Sequence, residues 1–251
     1  MINKKILLIG GSGNLGSSIK KSKIFNNLSS PSRKLLDLQN LKEIEKNLFK
    51  NNYELIISCA SLARMKQCEK NISSAIDNNI FGTFNLVKAL LNYNKKKRKN
   101  IKLIYISSDA VYPSTKGKYH ENSNLGPYNN YGWTKLSAEY LVKLIDNFII
   151  IRTRFYDMKK VNYKFSASDI FTSQIDINLL PKYISYLIKD NFKGVINIGG
   201  ERISDYKLYK KTLPNLKAFR RKDLVKKLNF QIAKDSSLNL NLFNKIKKKY
   251  E

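Results

Sequence analysis

Tyr131 and Lys135 are the two residues of this sequence whose types and spacing most directly suggest acid–base chemistry. On a helix, a separation of four positions places a phenol and an ammonium on one face, one turn apart. A tyrosine ordinarily has a pKa of about 10, which makes it a poor acid at neutral pH. A fixed positive charge nearby favours the phenolate and is expected to lower the pKa of Tyr131. The pair is therefore predicted to exchange a proton near pH 7.

A glycine-rich turn near the start of the sequence predicts a nucleotide site. The apolar run 5–9 reads as a strand, and the stretch that begins at Ser17 reads as a helix. Glycines between them allow a tight turn and let the backbone approach a pyrophosphate. Free N–H groups at the helix start attract the phosphate charge. The turn residues expected to contact a cofactor are Gly10, Gly13, Asn14, Leu15 and Gly16.

Strands and helices alternate along the first part of the chain. Apolar strand candidates lie at 5–9, 54–60, 101–107 and 148–152, and helical stretches lie near 39–50, 72–93 and 129–146. This alternation predicts an α/β, Rossmann-like fold with a doubly wound parallel sheet. Ligands of such sheets bind at the carboxyl ends of the strands. Ala60, Ser61 and Ser108 follow two strand ends and are therefore expected to lie together near the cofactor.

Several motifs carry a resemblance to a known family. The glycine turn reads as G-x-x-G-x-x-G from Gly10, and it is followed by IYISSDAVY at 104–112, Y-x-E at 119–121, Pro127 and YGWTKLSAE at 131–139. With these motifs, residues 4–156 resemble the extended short-chain dehydrogenase/reductases, in particular the dTDP-4-dehydrorhamnose reductase group. The resemblance implies that Ser108 is the catalytic hydroxyl. It also implies, through DNNIFGTFNL at 77–86, that Asn79 supports the lysine through water.

The reaction implied by the resemblance is the reduction of a nucleotide-linked 4-keto sugar by hydride transfer from a nicotinamide. Ser108 would hydrogen-bond the carbonyl oxygen, and Tyr131 would donate the proton to it. Lys135 would hold the nicotinamide ribose and lower the pKa of the tyrosine. The expected function is that of an oxidoreductase in polysaccharide biosynthesis.

Other functions fit parts of the sequence. SSDAVY at 107–112 also resembles the sugar-nucleotide epimerases, which usually retain NAD tightly. A 4,6-dehydratase is disfavoured, because Ala110 stands where those enzymes have a glutamate base. A non-catalytic regulatory subunit would keep the nucleotide fold and bind a partner enzyme, but the intact residues Ser108, Tyr131 and Lys135 argue against it.

The choice between NADP and NAD depends on a short segment after the second strand, which is expected at 27–30. Arg33 could hold a 2′-phosphate, whereas Asp37 could bind the ribose hydroxyls of NAD. In the family that the sequence resembles, a segment like 36–38 ends the third strand and touches adenine. That comparison makes Leu38 an adenine contact and leaves Arg33 nearest the ribose. NADP is the favoured cofactor, and NAD is the alternative.

The resemblance is looser beyond residue 156, and it implies two regions. Residues 1–156 are expected to form the NAD(P)-binding domain, and residues 157–251 a smaller substrate-binding lobe from which strand 194–198 returns to the main sheet. A helix is expected at 181–187, and 235–238 resembles a late segment of the family's substrate domain. The stretch between Tyr156 and Phe171 is shorter than the family's. Arginines that could hold a pyrophosphate are Arg154, Arg202, Arg220 and Arg221.

Composition bounds the remaining function classes. The chain has 251 residues, 42% of them hydrophobic, and a net charge of +28. Its lysine clusters at 95–99 and 245–249 lack the interleaved aromatics of a nucleic-acid site, so a nucleic-acid partner is not expected. Two separated cysteines and one histidine give no metal-binding pattern. The absence of a signal sequence or an apolar membrane span leads us to expect a cytoplasmic protein. The sequence does not determine whether the protein forms a homodimer.

Overall fold

The computed structural model describes residues 1–226 and 230–251. Its centre is a six-stranded, all-parallel sheet in the order β2-β1-β3-β4-β5-β10. These strands are β1 (Ile2–Ile9), β2 (Phe25–Ser29), β3 (Leu55–Ser58), β4 (Lys102–Ile106), β5 (Phe148–Thr153) and β10 (Gly194–Ile198). The order reverses beside β1, where the chain moves first to β2 and then across to β3. The predicted doubly wound α/β fold is confirmed.

Helices cover both faces of this sheet. The helices of the described residues are α1 (Asn14–Lys21), α2 (Leu41–Asn51), α3 (Met65–Lys70), α4 (Ile72–Ala75), α5 (Gly82–Lys97), α6 (Asn130–Val142), α7 (Leu180–Lys189), α8 (Asp205–Lys210), α9 (Arg221–Val225) and α10 (Asn241–Lys247). Of these, α1, α7 and α10 pack on one face of the sheet and α2, α5 and α6 on the other. A π-helical stretch, Ile76–Phe81, joins α4 to α5, and single 3₁₀ turns occupy Asp109–Val111 and Met158–Lys160. The lysine clusters that the sequence shows lie at the C-terminal ends of α5 and α10. Positive charge at that end of a helix is favourable, because it complements the helix dipole.

The alternation of side chains along β1 explains the two cores. Ile6 and Leu8 point to one face, where they pack with α1, α7 and α10, whereas Leu7 and Ile9 point to the other face, towards α2, α5 and α6. All four are buried, as expected for a central strand covered on both faces. The apolar run at 5–9 therefore reflects burial on both sides of the sheet.

Outside the central sheet, the segments on both sides of β10 form six short strands that pair with one another. They are β6 (Phe155–Tyr156), β7 (Phe165–Ala167), β8 (Phe171–Thr172), β9 (Ile175–Asp176), β11 (Ile203–Ser204) and β12 (Lys217–Phe219). They pair as β6 with β9, β7 with β12 and β8 with β11. β10 pairs in parallel with β5, from Gly194 beside Ile149 to Ile198 beside Thr153. The boundary at residue 156 stays a prediction.

Two details differ from the sequence-based expectations. β2 covers Phe25–Ser29 rather than 27–30, and residues 36–38 form a loop rather than the end of a third strand. β2 forms one edge of the sheet and pairs with β1 alone. Its polar sequence, FNNLS, suits a strand with one free edge. In the part of the chain that the structure describes, no helix is long and apolar enough to cross a membrane.

Candidate functional site

The glycine turn between β1 and α1 is tight enough that side chains would not fit. Gly10 has a φ of +81°, and a Cβ atom there would lie 2.6 Å from the backbone nitrogen of Ala60. A Cβ atom on Gly16 would lie 2.2 Å from the Gly10 carbonyl oxygen. That oxygen accepts a hydrogen bond of 3.0 Å from the Gly13 N–H. The turn therefore lets α1 start directly at the end of β1.

The first turn of α1 is suited to an anion. Gly13 is its N-cap residue and supplies no capping side chain, and the first turn contains no acidic residue within the described structure. The first N–H groups of a helix have no partner inside the helix, and they carry the positive end of its dipole. Leu15 is buried in the core, so only its backbone can face a ligand, whereas Asn14 is exposed.

A cleft of about 300 Å³ opens beside this turn. Its walls are the glycine turn, the end of β3 with Ala60 and Ser61, the loop 31–39 and the start of α5. A Cβ atom on Gly13 would meet just one atom at 3.3 Å, so the turn leaves open space there. The end of β3 and the glycine turn, both of which the sequence assigned to a cofactor, therefore line one cleft, whereas Ser108 at the end of β4 is not among its lining residues.

Arg33 and Asp37, the two candidates for ribose recognition, are neighbours in this cleft. Arg33 Nε lies 3.5 Å from Asp37 Oδ1, and both side chains are exposed. Leu38 packs where Gly82 lacks a side chain, because a Cβ atom on that glycine would lie 3.3 Å from the Leu38 Cβ. The residues predicted to contact adenine and the ribose therefore lie on one loop, and Arg33 and Asp37 form an ion pair.

Ser108 is buried directly after β4. Its hydroxyl donates to Asp109 Oδ1 at 3.1 Å and accepts from the Ala110 N–H at 3.1 Å, so that it caps the short 3₁₀ turn that follows. Asp109 in turn accepts a hydrogen bond of 2.7 Å from the Ser236 hydroxyl. The segment 235–238, which the sequence linked to substrate binding, is thus held against the end of β4.

Tyr131 lies next to Ser108 because α6 begins close to the 3₁₀ turn. Asn129 caps α6 by accepting from the Gly132 N–H at 2.8 Å, and a Cβ atom on Gly132 would lie 2.3 Å from the Ala110 carbonyl oxygen. Burial raises the pKa of Tyr131 above its ordinary value, while the nearby Ser108 hydroxyl acts to lower it. The expectation of a lowered pKa was therefore wrong for this state of the protein.

The Lys135 ammonium points towards β4. The Nζ atom donates to the Tyr105 hydroxyl at 2.6 Å and to the Ile106 carbonyl oxygen at 2.7 Å, and it lies 4.1 Å from the centre of the Tyr105 ring. The side chain is 1% exposed. Burial lowers the pKa of Lys135 to about 7, although Glu139 and Cys59 act in the opposite direction. Tyr105 is a contact that sequence reasoning missed.

Asn79 is buried in the π-helical stretch. Its side-chain oxygen accepts from the Ser61 hydroxyl at 3.1 Å and from the Leu62 N–H at 2.7 Å, and its amide donates to Thr134 Oγ1 at 2.9 Å. Its backbone oxygen accepts from Thr83 Oγ1 at 2.7 Å. Asn79 thus joins the end of β3 to α6, one residue before Lys135. Its support of the lysine through water stays a prediction.

A buried ion pair lies beneath these residues. Arg152, on β5, donates from Nε and Nη2 to both carboxylate oxygens of Glu139, with the shortest distance at 2.7 Å. Both side chains are almost completely buried. Glu139 also accepts from the Ser107 hydroxyl at 2.5 Å, and Arg152 donates to the Tyr112 hydroxyl at 2.8 Å. The network connects α6, β4 and β5 directly below Ser108 and Lys135.

The four arginines named from the sequence all contact other parts of the chain. Arg154 approaches Asp205 at 3.8 Å, Arg202 approaches Asp235 at 2.8 Å, Arg220 approaches Asp169 at 4.0 Å, and Arg221 donates to the carbonyl oxygens of Ile232 and Ala233. They are therefore distributed across the region beyond β5. Over residues 1–226 and 230–251, no group of three His, Cys, Asp or Glu side chains is arranged to hold a metal ion.

Comparison with protein families gives a match over most of the chain. Residues 4–178 match the family described as the RmlD substrate binding domain. Among curated relatives, a dTDP-4-dehydrorhamnose reductase of Aggregatibacter actinomycetemcomitans is 30% identical over 158 residues, which cover 59% of this chain and 50% of that protein. A bifunctional UDP-glucose 4-epimerase and UDP-xylose 4-epimerase of Pisum sativum is 32% identical over 108 residues, covering 43% and 29%. The chain thus spans half or less of the length of these two relatives.

Comparison with solved structures supports the fold over nearly the whole chain. A dTDP-4-dehydrorhamnose reductase from Bacillus anthracis, solved in complex with NADP, superposes with a TM-score of 0.85. The match covers 97% of this chain and 92% of that one, at 22% sequence identity. At this level of identity the likeness establishes a common fold.

Proposed function

The chain belongs to the RmlD substrate-binding-domain family, and on that premise we propose that it is an NADP-dependent reductase of a nucleotide-linked 4-keto sugar. The observation that carries this proposal is the proximity of Ser108 and Tyr131 at the end of β4. Lys135 lies beside them, bonded to the Ile106 carbonyl oxygen and close to Cys59, which lines the glycine-turn cleft. A hydroxyl pair at this position can hydrogen-bond a carbonyl oxygen and protonate it.

The residues of the cleft fit a dinucleotide. The glycine turn has room for phosphates and presents unpartnered helix N–H groups, and Arg33 offers a cation for a 2′-phosphate. The Bacillus anthracis reductase was solved with NADP, which supports the same choice here. When bound, the cofactor would supply the hydride for the ketone carbon.

The protein's own contribution would be to stabilise and neutralise the carbonyl oxygen. Ser108 would exchange its hydrogen bond to Asp109 for one to the substrate oxygen. The raised pKa of Tyr131 keeps the phenol protonated at neutral pH, which is the form that a reduction requires. A substrate oxygen that gains negative charge is more basic than a phenolate, so proton transfer from Tyr131 becomes favourable.

The direct test follows NADPH oxidation by absorbance after addition of a dTDP-linked 4-keto-6-deoxy sugar. Tyr131→Phe should lower kcat by about 10²- to 10⁴-fold, the usual contribution of general acid catalysis, while NADPH affinity is unchanged. Tyr140→Phe is the matched control, because Tyr140 lies on the same helix with its side chain exposed. Unchanged turnover in Tyr131→Phe would remove the proposed acid.

Cofactor content separates this proposal from its main rival. The Pisum sativum relative is named an epimerase, and the sequence resembles epimerases at 107–112. If the purified protein carried bound NAD and interconverted nucleotide sugars without net NADPH consumption, epimerisation would replace reduction. If it bound a dinucleotide but turned over no nucleotide sugar, the regulatory-subunit alternative would stand.

A further inference from the structure

The 3₁₀ turn at Met158–Lys160 brings a lysine from the region beyond β5 to the start of α1. Met158 packs with Tyr156 against Leu208, Tyr209 and Leu216, and the Asp157 side chain caps the turn by accepting from the Lys159 N–H at 3.1 Å. These contacts fix the turn relative to the second half of the chain. Lys160 then extends towards the glycine turn.

Lys160 contacts the residue that follows the N-cap of α1. Its Nζ atom donates to Asn14 Oδ1 at 2.7 Å, although 146 positions separate the two residues in the sequence. The Lys160 side chain is 61% exposed, so it can move without unpacking the core. The Asp157 carboxylate lies beside it, at 3.8 Å from Nζ. The ammonium group therefore reaches the edge of the proposed cofactor cleft.

Positive charge from two sources meets at this point, where the nearby carboxylate is that of Asp157, 3.8 Å from Lys160 Nζ. The N-terminal end of α1 carries the positive end of the helix dipole, and its first turn has no acidic side chain among the residues described. Lysine is favourable at the opposite end of a helix, as at Lys20 and Lys21 of α1 itself. Two sources of positive potential thus converge beside an open cleft that the glycine turn lines.

We infer that Lys160 binds the pyrophosphate of the dinucleotide, exchanging Asn14 Oδ1 for a phosphate oxygen. This inference rests on the proposed function. Because the lysine comes from the region beyond β5, cofactor binding would then connect that region to the glycine turn. The short segment between Tyr156 and Phe171 would take part in cofactor binding as well as in any substrate contact.

The test compares Lys160→Gln, Lys160→Arg and the wild-type protein by calorimetric titration at low salt. NADPH is one ligand, and adenosine 2′-monophosphate, which has the 2′-phosphate but no pyrophosphate, is the other. Lys160→Gln should weaken NADPH binding by about two- to fivefold, the range of an exposed charge contact. Lys160→Arg should restore most of the affinity. Lys159→Gln, in the same turn and exposed, is the matched control and should bind NADPH as the wild type does.

The outcomes of this titration distinguish the Lys160 contact from the proposed function. A loss for NADPH that is absent for adenosine 2′-monophosphate, and that shrinks at high salt, supports a pyrophosphate contact. Equal NADPH affinity in Lys160→Gln and wild type would overturn the inference and leave the proposed function standing. An equal loss for both ligands would overturn it as well, since the contact would then involve the adenosine side. Failure of the wild-type protein to bind NADPH at all would overturn both proposals.

Discussion

Replacing Lys135 by methionine should change how the stability of the protein depends on pH. The ammonium is buried, and burial lowers the pKa of Lys135 from 10.5 to about 7. In the unfolded chain the lysine keeps its ordinary pKa, so between pH 7 and 10 the unfolded state binds more protons than the folded state. The free energy of unfolding therefore increases with pH across this interval.

The size of the effect follows from the two pKa values. A fully titrating group changes the free energy of unfolding by about 1.4 kcal/mol per pH unit. Because Lys135 is half-protonated in the folded state near pH 7, the integrated gain between pH 7 and pH 9 is about 2 kcal/mol. A methionine has no proton to lose. The increase in stability between pH 7 and pH 9 should therefore be about 2 kcal/mol smaller in Lys135→Met than in the wild type.

The assay is urea unfolding at pH 7, 8 and 9, followed by circular dichroism, for both proteins. The difference between their pH profiles isolates Lys135, because other groups such as Lys102, whose pKa burial also lowers, contribute equally to both. Lys143→Met, at the exposed end of the same helix, should give the wild-type profile. Parallel profiles for Lys135→Met and wild type would refute the reasoning, since the lysine would then have an ordinary pKa.

Three further predictions concern the glycine turn, the buried ion pair and the cofactor cleft. Gly10→Ala should lower the free energy of unfolding, measured with urea, by about 2–4 kcal/mol, because the φ is +81° and the new Cβ atom would lie 2.6 Å from the Ala60 nitrogen. Gly194→Ala is the control: its φ is also positive but the space around it is open, so the free energy of unfolding should fall by only about 1 kcal/mol. Arg152→Met should lower the free energy of unfolding by about 3–5 kcal/mol, because Glu139 would stay buried without its partner. In the same assay, the double variant Arg152→Met/Glu139→Gln should recover part of that loss. Arg33→Gln should lower the NADPH-to-NADH affinity ratio about tenfold by calorimetry, and an unchanged ratio would exclude Arg33 from 2′-phosphate binding.

The order of elements could be predicted because strands buried on both faces have distinctive apolar sequences. β1, β3, β4 and β5 are central strands, and each reads as a nearly continuous apolar run, whereas the glycine turn is marked by residues that admit no Cβ atom. β2 was harder to place, because an edge strand pairs on one side and three of its five residues are polar. The loop at 31–39 has no periodic pattern at all, so its conformation depends on packing that sequence alone does not reveal.

The direction of the long Lys135 side chain also could not be predicted from the sequence. Helical spacing places Tyr131 and Lys135 on one face, but it does not determine where a flexible four-carbon stem directs its ammonium. The answer depends on β4, which offers the Tyr105 hydroxyl and the Ile106 carbonyl oxygen as acceptors. An acceptor pair of this kind arises from the contact between a strand and a helix some 30 residues apart, which no local pattern records.

The buried ion pair of Glu139 and Arg152 affects the charge of Lys135. Burial opposes the charge on Lys135, whereas the Glu139 carboxylate, held by Arg152, favours it. The two effects leave the lysine with a pKa near neutrality, so its charge can respond to a ligand or to a small change in pH. Tyr131 shows the opposite behaviour, because burial keeps its phenol protonated throughout the neutral range. If turnover depends on pH between 6 and 8, the change should therefore come from Lys135 and be lost in Lys135→Met, while the proton itself is still supplied by Tyr131.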